Sequence, residues 1–247
     1  MKFEADSVLD FDQDIIVKAI RAIEKAVSED IPRQFHENCL ETNNYLAFIR
    51  GDYINTNLRE LLNSSLGELL AFQRFGWRGR LLVDRDHHLT YSITTQATLN
   101  QISHKQRKQP HFLQTLLFVE NHDLEGHGHQ MTLFDVDQFD VDTYCKDFRD
   151  ITNSSIEDYA GYRHCVIVYR ANQDIVTDIK LVLLDPQFAV VEEYDLNEFR
   201  RPDFSLLTSS TTAEANIKKE AHNTATRNLT KLKKGIKPGL KEVAKKA

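Results

Sequence analysis

Cysteine, glycine and proline are all scarce in this 247-residue chain, and each shortage narrows what the protein can be. The three cysteines, Cys39, Cys145 and Cys165, stand far apart with no CxxC pair, so neither a thiolate zinc site nor a dithiol redox centre is available. Free thiols and a reducing compartment are expected. Nine glycines supply no GxxxxGK[ST], GxGxxG or GxSxG pattern, which disfavours phosphate-loop enzymes, dinucleotide-binding folds and nucleophile-elbow hydrolases. No apolar run approaches the roughly 18–20 residues that span a bilayer. The first residues are acidic and lack the apolar stretch of a leader, so we expect no membrane span and a cytoplasmic protein.

What the chain does hold is enough apolar material for a sizeable core. Residues of the hydrophobic class make up 41%, with 14 Phe and 8 Tyr, against 28% charged. The net charge of −6 hides an asymmetry: residues 206–247 carry 10 Lys/Arg against 3 Glu, whereas the other 205 carry 21 Lys/Arg against 34 Asp/Glu. A body with a formal charge of −13 repels phosphate unless a local basic patch overrides the mean field, while the tail attracts it. The expected organisation is a single domain over 1–205 and a basic linker or tail over 206–247.

Ile15, Ile16, Ala19, Ile20, Ile23, Ala26 and Val27 recur at helical spacing, with Asp12 placed to cap the helix. The leucines from Leu58 to Leu70 read as a second helix over about 53–72, broken near Ser64. Arg78–Val83 and Leu89–Ile93 flank a polar loop suited to a hairpin. A polar helix is expected over 95–108, another beginning at Pro110, and a short one capped by Asp140. Three strand-like runs follow, from His164, Ile175 and Phe188, separated by turns. The fold class is therefore α+β: N-terminal helices on an antiparallel sheet of about five strands, made of the hairpin and a three-stranded meander.

Several clusters could carry chemistry. His122, His127 and His129 in a Gly-rich segment offer imidazoles for a divalent ion, though a solvated turn has the same composition. Asp178 and Lys180 form the acid-x-Lys pattern of metal-dependent nucleases, which calls for a second acid nearby; a solvent-facing charge pair is the alternative. Two basic groups stand out on the acidic body. Arg74, Arg78, Arg80 and Arg85 surround Trp77, and Lys105, Arg107 and Lys108 precede the helix near Pro110. Arginines beside an exposed aromatic grip single-stranded nucleic acid by charge and stacking, and Lys231, Lys233 and Lys234 extend the basic character into the tail. Burial of Trp77, with the arginines paired to neighbouring acids, is the structural alternative.

The stretch from Phe48 to Glu60 concentrates Arg50, Asp52, Asn55, Asn57 and Arg59 at what reads as a helix start. Arg50-Gly51-Asp52, then Ile54-Asn55-Thr56-Asn57-Leu58, then Gly76-Trp77-Arg78-Gly79, resemble an uncharacterised domain-of-unknown-function family of Gram-positive bacteria over about residues 10–200. That resemblance implies a bacterial origin and no known activity. The leading functional expectation is an intracellular binding or regulatory protein that engages nucleic acid through its tail and basic patches, with no cofactor required. An acidic protein-interaction module, as in toxin–antitoxin or defence pairs, is the alternative, and a nuclease using Asp178 and Lys180 comes third.

Overall fold

The computed structural model describes residues 9–38, 45–62, 67–74, 76–102, 107–126 and 139–201. Helix α1 spans Gln13–Lys25, and the Asp12 carboxylate caps it by accepting from the Asp14 and Ile15 amides. The helical path continues through a π-helical segment, Ala26–Asp30, into α2, Ile31–Asn38. Helix α3 is Leu46–Leu61, and Asn57 fixes it against α1: its amide donates to the Asp30 carboxylate at 2.8 Å and to the Ala22 carbonyl at 3.3 Å. Arg50, Asp52 and Asn55 therefore lie inside a helix and do not open one; neither Asp52 nor Asn55 is a cap.

The expected helix over 53–72 stops at Leu61, and Leu69 and Leu70 belong to strand β1, Glu68–Arg74. Leu69 packs into the core on one face of the sheet while Leu70 and Phe72 pack into the core on the other, a period of two. Pairing of the whole of β1 with β2, Trp77–Asp84, overrides the helical reading of the same leucines. Strand β3 is Leu89–Thr95 and α4 is Gln96–Ile102. Helix α5, Phe112–Glu120, begins after His111, which caps it in place of the expected Pro110 start. Helix α6, Val141–Thr152, is capped by Asp140 as its sequence suggests. The chain then returns through β4, Arg163–Asn172, β5, Ile175–Leu184, and β6, Val190–Asp195.

These six strands form one sheet in chain order, β1 to β6. Every neighbouring pair is antiparallel except β3 with β4, which run parallel from Leu89↔Arg163 to Thr95↔Tyr169. The hairpin and the meander are thus joined, but by a parallel seam. A parallel pair needs a long crossover, and α4, α5 and α6 occupy it. Helices α1 and α3 cover one face through Ile15, Ile20, Ile54 and Leu58 against Tyr91, Cys165 and Ile167. Helices α4 to α6 cover the other, where Leu113, Leu117 and Phe148 meet Val166, Val168 and Leu81. The fold is α+β, and no helix among the described residues is long and apolar enough to cross a membrane.

The parallel seam carries a buried polar network. His164 on β4 is fully buried, its Nδ1 2.7 Å from the hydroxyl of its register partner Thr90 and its Nε2 2.8 Å from that of Ser92. Thr90 donates in turn to the carboxyl of Glu120 at the end of α5, and the Asn121 side chain holds the His164 main chain and the Leu184 carbonyl. Burial lowers the His164 imidazole to about 3 and raises the Glu120 carboxyl to about 8, the Thr90 bond opposing the latter.

Glu120 keeps its proton in the folded state up to about pH 8 but loses it near 4.5 when unfolded, so its stabilising share is complete below 4.5 and gone above about 8. His164 acts in the opposite sense, its share complete above 6.5 and lost as pH falls towards about 3. Denaturant titration should show stability falling by about 2 kcal/mol as pH rises from 6.5 through about 8, and Glu120→Gln should remove that limb. An undiminished limb in the variant would place its cause elsewhere.

Candidate functional site

The β2–β3 hairpin is paired over only part of its length. Asp84↔Leu89, Val83↔Thr90 and Leu82↔Tyr91 are joined; beyond them the ladder stops, although β2 runs back to Trp77 and β3 on to Thr95. β2 stays with β1 as far as Arg74↔Trp77, and β3 stays with β4 as far as Thr95↔Tyr169. The sheet therefore forks, its apex at Leu82 and Tyr91. A cleft of about 340 Å³ occupies the fork, within the range of small-ligand sites.

One wall of the cleft is β2, with Trp77, Gly79 and Arg80, and the other is β3, from Tyr91 to Thr95. Helix α3 contributes Arg50, Gly51 and Asn55, and the start of α5 contributes His111 and Phe112. A more open recess of about 570 Å³ adjoins it at Arg50, Thr95 and Tyr169 and adds Arg170. Both lie beside the carboxyl ends of the parallel strands β3 and β4, where ligands bind in many open α/β sheets. The three segments that carry the family resemblance thus meet at one place, Arg50 from the first, Asn55 from the second, Trp77 and Gly79 from the third.

Electrostatics set the cleft apart from the acidic body. Arg50, Arg80 and His111 line the cleft, Arg50 and Arg170 line the recess, and neither has an Asp or Glu among its described lining residues. Arg80 is half-buried and Arg78 exposed, each without a carboxylate partner among the described residues. Arg50 bonds the Tyr169 hydroxyl, its Nε is buried without a partner among the described residues, and burial of Tyr169 raises that phenol to about 12. The buried Tyr91 hydroxyl likewise has none among them. His111 accepts the Leu113 amide at Nδ1, which leaves its proton on Nε2. Burial and the nearby Arg107 and Arg74 guanidinium groups hold that imidazole at about 3, so it presents a neutral N–H donor.

Trp77 is 51% exposed. Burial, the structural alternative, does not apply to it. Its ring lies 5.5 Å from Phe72 and 5.3 Å from Phe112, over Gly79, where a Cβ would come within 2.8 Å of the indole and closer still to the Phe72 ring. The two basic groups of the sequence converge through Arg74, which bonds the Asp147 carboxylate at 2.7 and 2.8 Å and the Pro110 carbonyl at 2.9 Å. Arg74 is thus a clamp, its side chain 10% exposed. Arg85 pairs with Glu68, Arg107 bonds the Ile102 carbonyl and Lys108 is exposed. Lys105, Lys231, Lys233 and Lys234 lie outside the described residues.

The other candidates lie elsewhere. His122 is exposed beside the Val119 carbonyl, and His127 and His129 fall outside the described residues. Among the described residues, no group of three or more His, Cys, Asp or Glu is arranged to hold a metal ion. Asp178 accepts from Asn197 at 3.1 Å and lies 3.9 Å from Arg170, and Lys180 pairs with Glu193 at 2.6 Å. Asp174 is exposed in the turn before β5.

A mixed six-stranded sheet, covered by helices on both faces and split to form a cation-lined cleft, defines the structural class. The chain belongs to a family of unknown function (DUF5986), whose pattern it matches over residues 9–246. Comparison with curated proteins and with solved structures gave no match in either case.

Two glycines in the cleft should respond in opposite directions. Gly51 lies in mid-helix with open space where a methyl group would stand, so Gly51→Ala should raise stability by about 1 kcal/mol through helix propensity. Gly79→Ala should cost roughly 1–3 kcal/mol and shift the emission of Trp77, the chain's single tryptophan. Thermal unfolding followed by that fluorescence measures both; equal stability of Gly79→Ala and the parent would contradict the crowding.

Proposed function

We propose that this protein binds nucleic acid, holding a single strand in the cleft between β2 and β3. The observation that carries this reading is a cleft whose described lining holds arginines and no Asp or Glu, in a body of net charge −13. Such a site concentrates the positive potential that the rest of the body lacks and attracts phosphate. Arg50, Arg80 and Arg170 supply that charge, and the half-exposed Trp77 offers a face on which a base can stack; on this reading Arg78, Arg107 and Lys108, outside the lining, add to the attraction. Main-chain groups left unpaired at the fork add donors and acceptors. On this reading Lys231, Lys233 and Lys234 of the basic C-terminal segment add non-specific phosphate attraction. A cytoplasmic location belongs to the same reading, in keeping with the free thiols of Cys145 and Cys165.

Fluorescence anisotropy with labelled single-stranded DNA and RNA at about 50 and 200 mM salt provides the test. Affinity should fall steeply with salt, and the double variant Arg50→Ala/Arg80→Ala should weaken binding by roughly 100-fold, as loss of two charged contacts implies. Lys231→Ala/Lys233→Ala/Lys234→Ala should reduce the salt dependence while sparing the contribution of Trp77. Binding unchanged in the double arginine variant would remove the cleft from the reaction.

A further inference from the structure

The fork has dimensions and chemistry that describe its ligand more closely. Continued in register, β2 and β3 would pair Leu81 with Ser92, Arg80 with Ile93, Gly79 with Thr94 and Arg78 with Thr95; none of these rungs forms. Four residues of strand span about 13 Å, and the gap closes at Leu82↔Tyr91. Its main-chain edges carry alternating donors and acceptors, flanked by the Thr94, Thr95 and Thr98 side chains and Asn55. The base edges of nucleotides carry the complementary pattern. Two residues that line the cleft each carry a buried polar atom without a partner among the described residues, the Tyr91 hydroxyl and the Arg50 Nε, and a buried polar group without a partner is costly unless a ligand or water satisfies it.

Resting on the reading above, we infer that the fork is a mononucleotide-binding site: one base enters between β2 and β3 and its phosphate is held by Arg50. The Tyr91 hydroxyl bonds the inserted nucleotide, and Trp77 covers it at the cleft mouth. An extended peptide added to the open strand edge is the competing occupant. The two arginines, the absence of Asp and Glu from the described lining, the aromatic mouth and the closed apex favour a planar, phosphate-bearing ligand over a peptide strand.

Trp77, the single tryptophan, reports occupancy directly. The full-length protein is titrated with the four ribonucleoside monophosphates, the four nucleosides, inorganic phosphate and an uncharged capped tetrapeptide, following its emission, in parallel with the oligonucleotide titration. At least one monophosphate should quench saturably and bind about tenfold or more tightly than its nucleoside or phosphate, since each half of the ligand contributes a charged or polar contact. Tyr91→Phe deletes a buried hydroxyl that has no partner, so its thermal midpoint should equal or exceed the parent's while nucleotide affinity drops roughly tenfold. Unchanged affinity in that variant would overturn the assignment of Tyr91 and, with it, the inserted base. Oligonucleotide binding without any response to monophosphates would overturn the mononucleotide site and leave the strand-binding reading standing. Monophosphate binding without oligonucleotide binding would do the reverse, and quenching by the tetrapeptide alone would replace both with a strand-addition site.

Discussion

Parallel pairing of β3 with β4 imposes most of the remaining geometry. Because parallel neighbours cannot be joined by a tight turn, the chain between them has to cross the sheet, and it builds α4, α5 and α6 on the way. That crossover covers one face and leaves the other to α1 and α3, so β4 is buried on both sides and reads as a nearly unbroken apolar run. The polar interruptions on that side of the seam, Thr90, Ser92 and His164, can be tolerated only because they satisfy one another and Glu120. Remove that mutual satisfaction and the seam would hold buried, unpaired polar groups at the centre of the sheet.

The same seam explains why the sheet can fork. β3 draws its cohesion from β4 along its whole length, so it has no need of β2 beyond the first three pairs. β2 draws its own from β1. The gap is bounded by two strands that are each half-satisfied, and it lies where the parallel carboxyl ends, the α3 arginine and the start of α5 come together. A cleft made this way draws its described lining from seven elements, β1 to β4 and α3 to α5.

Local signals in the sequence reached most of the elements and some of the site. The Asp12 and Asp140 caps, the isoleucine stripe of α1, the polar loop between β2 and β3 and the final meander all follow from short-range chemistry. β1 was hidden because its leucines satisfy a helical period as well as an alternating one, and only the β2 partner decides between them. Trp77 and Arg80 were visible as an aromatic among arginines; Tyr91 and Tyr169 were not, since their place on the cleft depends on the seam and the fork. A clue to the polar interior lay in Thr90 and Ser92, which alternate with Leu89 and Tyr91 along the buried first half of β3. Arg74 shows the converse limit: it belongs to a basic cluster in sequence, yet its partner Asp147 is 73 residues away and takes it out of the surface charge.

The Arg74 clamp has a consequence for how the cleft meets a ligand. β2 is fastened at the apex by Leu82↔Tyr91, and β1, its neighbour, is held at its far end by the guanidinium bridge to Asp147 and Pro110. The hairpin arm is therefore anchored at both ends, like a beam and not a flap, and the width of the gap is established when the chain folds. A ligand bound there would find little conformational freedom left to surrender, and its affinity would depend on how well it complements that aperture.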